Sequence, residues 1–137
     1  LEPTLEHYGA AVGASIEVLA FIDDMAAAYQ WADLVVCRSG ALTVSELMVT
    51  GTASILVPLP HAIDDHQTHN ARILSEAGAG CLLPQDSSLG PQLSELLQGF
   101  IAAPQRLKVM KDKAMGLAMP NAALKVADVL EEVALAY

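Results

Sequence analysis

Basic residues are scarce in this chain: seven Lys and Arg stand against 16 Asp and Glu, for a net charge of −9. So acidic a surface does not suit the phosphate backbone of nucleic acid, and it argues against this piece docking alone on anionic lipid. Cysteine is scarcer still, with only Cys37 and Cys81. They end two separate apolar segments, and a disulfide scaffold of this size would carry more of them. Buried, reduced thiols in a cytoplasmic protein are expected instead. No apolar run approaches the roughly 20 residues of a membrane helix, and no secretory signal is visible. The chain starts at Leu1 rather than Met, and its first segment reads as a helix without a strand before it. A fragment of a longer protein is therefore expected. Internal repeats, low-complexity tracts and flexible linkers are missing too.

What is present is apolar and regularly punctuated. The chain has 137 residues, 53% of them hydrophobic, and a mean hydropathy of +0.40, which suits one well-buried domain. Short β-type runs are expected at Ile16–Phe21, Leu34–Cys37, Ile55–Val57 and Gly80–Leu83. Helices are expected over Pro3–Val12, Met25–Trp31, Ala41–Thr50, His66–Ala77, Leu89–Ala102, Pro104–Leu117 and Pro120–Ala136. Asp23 or Asp24 can cap the second helix, Gly51 and Gly78 can close two others, and Pro104 and Pro120 sit at helix starts. Short apolar strands alternating with helices predict an α/β domain: a Rossmann-like parallel sheet with helices on both faces. Ligands of such sheets bind beyond the carboxyl ends of the strands.

Two segments fall at those ends. The first, Cys37-Arg38-Ser39-Gly40-Ala41-Leu42-Thr43-Val44-Ser45-Glu46, joins a strand to a helix through a turn of small residues. The first amides of that helix lack intrahelical acceptors and sit at the positive end of its dipole, a ready site for a phosphate. Gly40 permits close approach to the backbone, and Ser39 and Thr43 add hydroxyls. Taken alone, Ser39 reads equally as an ordinary helix cap. Glu46, one turn deeper, can accept hydrogen bonds from sugar hydroxyls, although an exposed helix carboxylate is the usual fate of Glu. Arg38 could meet phosphate charge or make a surface ion pair. The second segment is the loop from Leu59 to Ala71. Its three His and two Asp within ten positions invite a metal hypothesis, but the spacing fits no standard zinc pattern. No metal or other cofactor is assigned. Asp64 or Asp65 reads more simply as a helix cap, and Tyr29 and Trp31 read as packing residues.

Read together, CRSGALTVSELMVTG, VPLPHAIDDHQTHNAR and the earlier AFIDDMAAAY resemble, in the same order, the nucleotide-sugar half of glycosyltransferase family 28, in its MurG branch. The likeness runs from about Glu2 to Val133. The resemblance implies the C-terminal half of a GT-B fold, with residues 1–137 forming a UDP-GlcNAc-binding domain that lacks its first strand and glycine-rich turn. It implies transfer of N-acetylglucosamine from UDP-GlcNAc to lipid I, giving the lipid II of peptidoglycan synthesis, at the cytoplasmic face of the bacterial inner membrane. It places Ile22 against uracil, the turn Ser39, Gly40, Ala41, Leu42 and Thr43 at the diphosphate, Glu46 at the ribose, and Gln67 with His66 and Asn70 at the sugar. The acceptor site for lipid I and the catalytic base belong to the family's other, N-terminal domain. No catalytic residue is therefore assigned, and the isolated piece is expected to be soluble and inactive. Two rival readings are the soluble donor subunit of a two-chain GlcNAc transferase and a nucleotide-binding module without transfer chemistry.

Overall fold

The computed structural model describes residues 16–60 and 65–118. In chain order these form α1 (Met25–Trp31), β1 (Val35–Cys37), α2 (Ala41–Thr50), β2 (Ser54–Leu56), α3 (His66–Glu76), β3 (Gly80–Leu82), α4 (Leu89–Ala102) and α5 (Gln105–Leu117). The strands make a parallel sheet in the order β1-β2-β3, with Val36 beside Ile55 and Ile55 beside Cys81.

Strand period two divides the core into two layers. Val35, Cys37, Leu56 and Leu82 point to one face, where they meet Tyr29 of α1, Val44, Leu47 and Met48 of α2, and Ala71 and Leu74 of α3. Ile55, Val57, Cys81 and Leu83 point to the other face, against Leu93, Leu96, Leu97 and Phe100 of α4. Helix α5 serves both layers, with Leu107 and Met110 in the second and Ala114 and Leu117 in the first. The sheet is thus covered on both sides, as an all-parallel sheet requires, and β2 is buried along its whole length. Val36, on edge strand β1, remains 46% exposed.

The expected elements recur with ends shifted by a residue or so, and the caps explain the boundaries. Asp24 Oδ1 accepts a hydrogen bond from the Ala27 amide at 3.0 Å and starts α1. Gly51 closes α2 at φ +62°, and Gly78 follows α3 at φ +76°, the left-handed conformation that glycine takes without steric cost. One expectation fails. Ile16–Phe21 does not form a strand: only Ile16 makes a bridge, and Ile16, Leu19 and Phe21 are exposed. An apolar β-type run becomes a strand only where a partner edge pairs with it, and the described sheet ends at β1. The helices expected at Pro3–Val12 and Pro120–Ala136 lie outside the described residues.

Gly51 offers a direct test of the α2 terminus. A Cβ there would lie 2.3 Å from Met115 Cγ. Cγ lies near the root of the side chain, so Met115 must change rotamer, a cost added to that of the left-handed backbone. Gly51→Ala should destabilise by about 1–2 kcal/mol in urea unfolding. Gly116→Ala, a helical site with nothing within 4 Å of the added atom, should stabilise by about 0.5–1 kcal/mol.

Candidate functional site

The carboxyl ends of β1 and β2 open onto the two segments singled out in the sequence. Chain leaving β1 at Cys37 turns through Arg38 and Ser39 and enters α2 with Gly40 as the N-cap residue, at φ −60° and ψ 153°. The first bond of the helix runs from the Val44 amide to the Gly40 carbonyl at 3.0 Å. No side chain caps the helix, so the amides of Gly40, Ala41, Leu42 and Thr43 project from its N-terminus without intrahelical acceptors. A Cβ added to Gly40 would meet nothing within 4 Å, and Leu42 is 63% exposed. Among the described residues, nothing crowds the Cβ side of Gly40.

Ser39 is not the cap. Its side chain is fully buried, and its hydroxyl donates to the Gln67 carbonyl of α3 at 2.6 Å. Asn70, also buried, donates from Nδ2 to the Ser39 carbonyl at 3.1 Å. The two residues therefore clasp the turn to the first two turns of α3, and the polar groups expected to face a ligand are spent on holding the backbone. Gln67 is half-buried. Its Oε1 accepts from the Leu59 amide at 2.8 Å, which fixes the side chain and leaves its two N–H donors. Arg38 turns away from the amides and donates to the Val57 and Pro58 carbonyls at 3.3 and 3.4 Å.

Helix α3 starts at His66, which is exposed, after Asp65 at φ 49°. The Asp65 carboxylate accepts from the Thr68 hydroxyl instead of a helix amide. Among the described residues no group of three or more His, Cys, Asp and Glu is gathered closely enough to hold a metal. His61 and Asp64 of the loop lie outside them. Beside the start of α3, Pro58, Leu59, Asp65, Thr68, Arg72 and Gln85 line a cavity of about 520 Å³. A second cavity, of about 660 Å³, involves Asp33, Leu34 and Phe100 and opens at the opposite, amino ends of the strands.

Glu46, half-buried, lies on the α1-facing side of α2. Across from it is Tyr29, only 7% exposed, whose hydroxyl neighbours Glu46, Thr43 and Cys37. Burial raises the pKa of that hydroxyl, and the Glu46 carboxylate pushes it the same way. Burial likewise pushes the Cys37 thiol up to about 11. Nothing in the sequence set Tyr29 apart from a packing residue. Ile22 is 37% exposed, two residues before the Asp24 cap, and belongs to neither core layer. The structure therefore joins Ser39 and the start of α2 to Gln67 and Asn70 of α3, with Glu46 one turn further along α2 on its α1 side and Ile22 at the surface ahead of α1.

If the clasp holds the turn, breaking it costs stability as well as shape. Asn70→Ala leaves a buried carbonyl without its donor and should destabilise by about 1–3 kcal/mol in urea unfolding. Asn70→Asp, which puts an acceptor against that carbonyl, should cost more.

The same region is found in known proteins. A family model described as the glycosyltransferase family 28 C-terminal domain matches residues 2–132. The UDP-N-acetylglucosamine–N-acetylmuramyl-(pentapeptide) pyrophosphoryl-undecaprenol N-acetylglucosamine transferase of Pseudomonas putida is 54% identical over 131 residues, covering 96% of this chain and 36% of the relative. The enzyme of the same name from Pseudomonas paraeruginosa is 53% identical over 133 residues, covering 97% of this chain and 37% of its own. The crystal structure of Acinetobacter baumannii MurG superposes with a TM-score of 0.76 at 43% identity, over 96% of this chain and 40% of that one. The chain thus spans little more than a third of the length of the curated relatives it matches. It belongs to glycosyltransferase family 28, as a C-terminal domain of that family.

Proposed function

We propose that this chain is the donor-binding domain of an N-acetylglucosaminyltransferase that moves GlcNAc from UDP-GlcNAc to lipid I, forming lipid II in peptidoglycan synthesis. The observation that carries this reading is the uncapped N-terminus of α2 at the end of β1, with a carboxylate one turn deeper. The amides of Gly40, Ala41, Leu42 and Thr43 take the diphosphate. Glu46 accepts from the ribose hydroxyls, and Ile22 offers an apolar edge and backbone polar atoms to uracil. Gln67 donates its free N–H groups to the sugar hydroxyls with His66 beside it, while Ser39 and Asn70 hold the turn in place.

As the bond to the sugar breaks, negative charge grows on the departing UDP. Fixed amides and the helix dipole favour that charge more in the transition state than in the bound donor, which is how they accelerate transfer. The acceptor hydroxyl of lipid I and the base that deprotonates it come from the rest of the enzyme, at the cytoplasmic face of the membrane. No described helix is long and apolar enough to cross a membrane. Alone, this domain binds donor and does not transfer.

Calorimetry tests the assignment. UDP should bind at least tenfold more tightly than ADP, and EDTA should leave the affinity unchanged. Glu46→Ala should weaken UDP by about ten- to a hundredfold, the worth of hydrogen bonds to a charged group. Gln67→Ala should weaken UDP-GlcNAc while sparing UDP. Equal affinity for ADP and UDP would instead support a nucleotide-binding module of another kind.

A further inference from the structure

Gln67 is held at both ends. Its main-chain carbonyl accepts from the Ser39 hydroxyl at 2.6 Å, and its side-chain Oε1 accepts from the Leu59 amide at 2.8 Å. Only the torsions of one side chain lie between those anchors, so its path is fixed. The Leu59 donor is itself confined. Pro58 and Pro60 carry no N–H, so Leu59 supplies the one main-chain donor of residues 58–60. Pro60 also biases the Leu59 backbone toward extended conformations. The Pro58 carbonyl shares a peptide group with the Leu59 N–H, and it accepts from Arg38 Nη1 at 3.4 Å, as the Val57 carbonyl does at 3.3 Å. In a trans peptide the C=O and N–H point opposite ways. One peptide plane therefore turns its oxygen to Arg38 and its hydrogen to Gln67.

We propose that Leu59 is a positioning residue for the donor site: its main-chain N–H, on a peptide braced by Arg38, holds Gln67 so that only N–H donors remain for the ligand. The proposal rests on Gln67 meeting the donor sugar as argued above. An N–H can pair only with the oxygen end of a side-chain amide, so the Leu59 bond decides which end of Gln67 is engaged. Among the described residues nothing bonds to its Nε2. A loose glutamine could turn either end to a sugar hydroxyl, which both donates and accepts. A fixed one takes only an accepting oxygen, and a sugar without that oxygen leaves the N–H groups unpaired. Holding the side chain in advance also removes an ordering cost from binding.

Exchanging Leu59 for its α-hydroxy acid turns one amide into an ester, which keeps the side chain and removes the N–H. Calorimetric titration of the chain with UDP and with UDP-GlcNAc reads the sugar's share as the ratio of the two affinities. Gln67→Ala should lower the ratio of UDP-GlcNAc to UDP affinity about tenfold. The Leu59 ester should lower it about three- to tenfold and leave UDP itself unchanged, because Gln67 can then turn either end outward. Gln67→Glu keeps an oxygen for Leu59 but presents a second oxygen to the sugar, and should lower the ratio at least as far as Gln67→Ala. If the ester keeps the native ratio while Gln67→Ala lowers it, the role of Leu59 is overturned and the sugar reading stands. A native ratio in Gln67→Glu means that residue 67 accepts from the sugar, which overturns the proposal in the same way. If Gln67→Ala keeps the native ratio, the sugar reading falls and this proposal falls with it.

Discussion

The proposed donor site depends on two hydrogen bonds between a turn and a helix, one buried and one half-buried. Ser39 gives its hydroxyl proton to the Gln67 carbonyl and receives the Asn70 amide on its own carbonyl. Both side chains are out of water, where an unmade bond costs more than a made one contributes. The consequence is geometric. The four free amides of α2 keep one direction without a side-chain cap, and Gln67 keeps one distance from them. A helix terminus left uncapped in water would satisfy its amides with solvent. Here the backbone is aimed in advance, and the energy for aiming it comes from folding and not from ligand binding.

That arrangement also explains why the acidic character of the chain is compatible with a phosphate site. Net charge governs long-range attraction, whereas amides and a dipole act within the first turn of a helix. Arg38, at the turn itself, donates from one guanidinium nitrogen to the Val57 and Pro58 carbonyls, tying the end of β1 to that of β2. The proposed site would meet negative charge with neutral groups on a rigid frame, which suits the proposed reaction, in which charge appears on the leaving group.

Much of this was legible in the sequence because the signals were local. Small residues after an apolar strand marked the α2 start, and Gly51 and Gly78 marked two helix ends, since only left-handed backbone fits there. Asp24 was one of two caps the sequence allowed. What was not legible was long-range pairing. Ile16–Phe21 has the composition of a strand, but composition does not supply a neighbouring edge. Ser39 was placed at the ligand because a hydroxyl in the turn suits a phosphate, and Asn70 because the family resemblance implied it. Their partners lie 28 and 31 residues away, and no spacing rule reveals that they are already engaged.

The most direct measurement is amide NMR during titration with UDP. The account predicts that the backbone amides of Gly40, Ala41, Leu42 and Thr43 show the largest downfield shifts, saturating together with one affinity, while those at the amino ends of the strands stay still. If UDP binds and these four resonances do not move, the diphosphate sits elsewhere and the account is wrong.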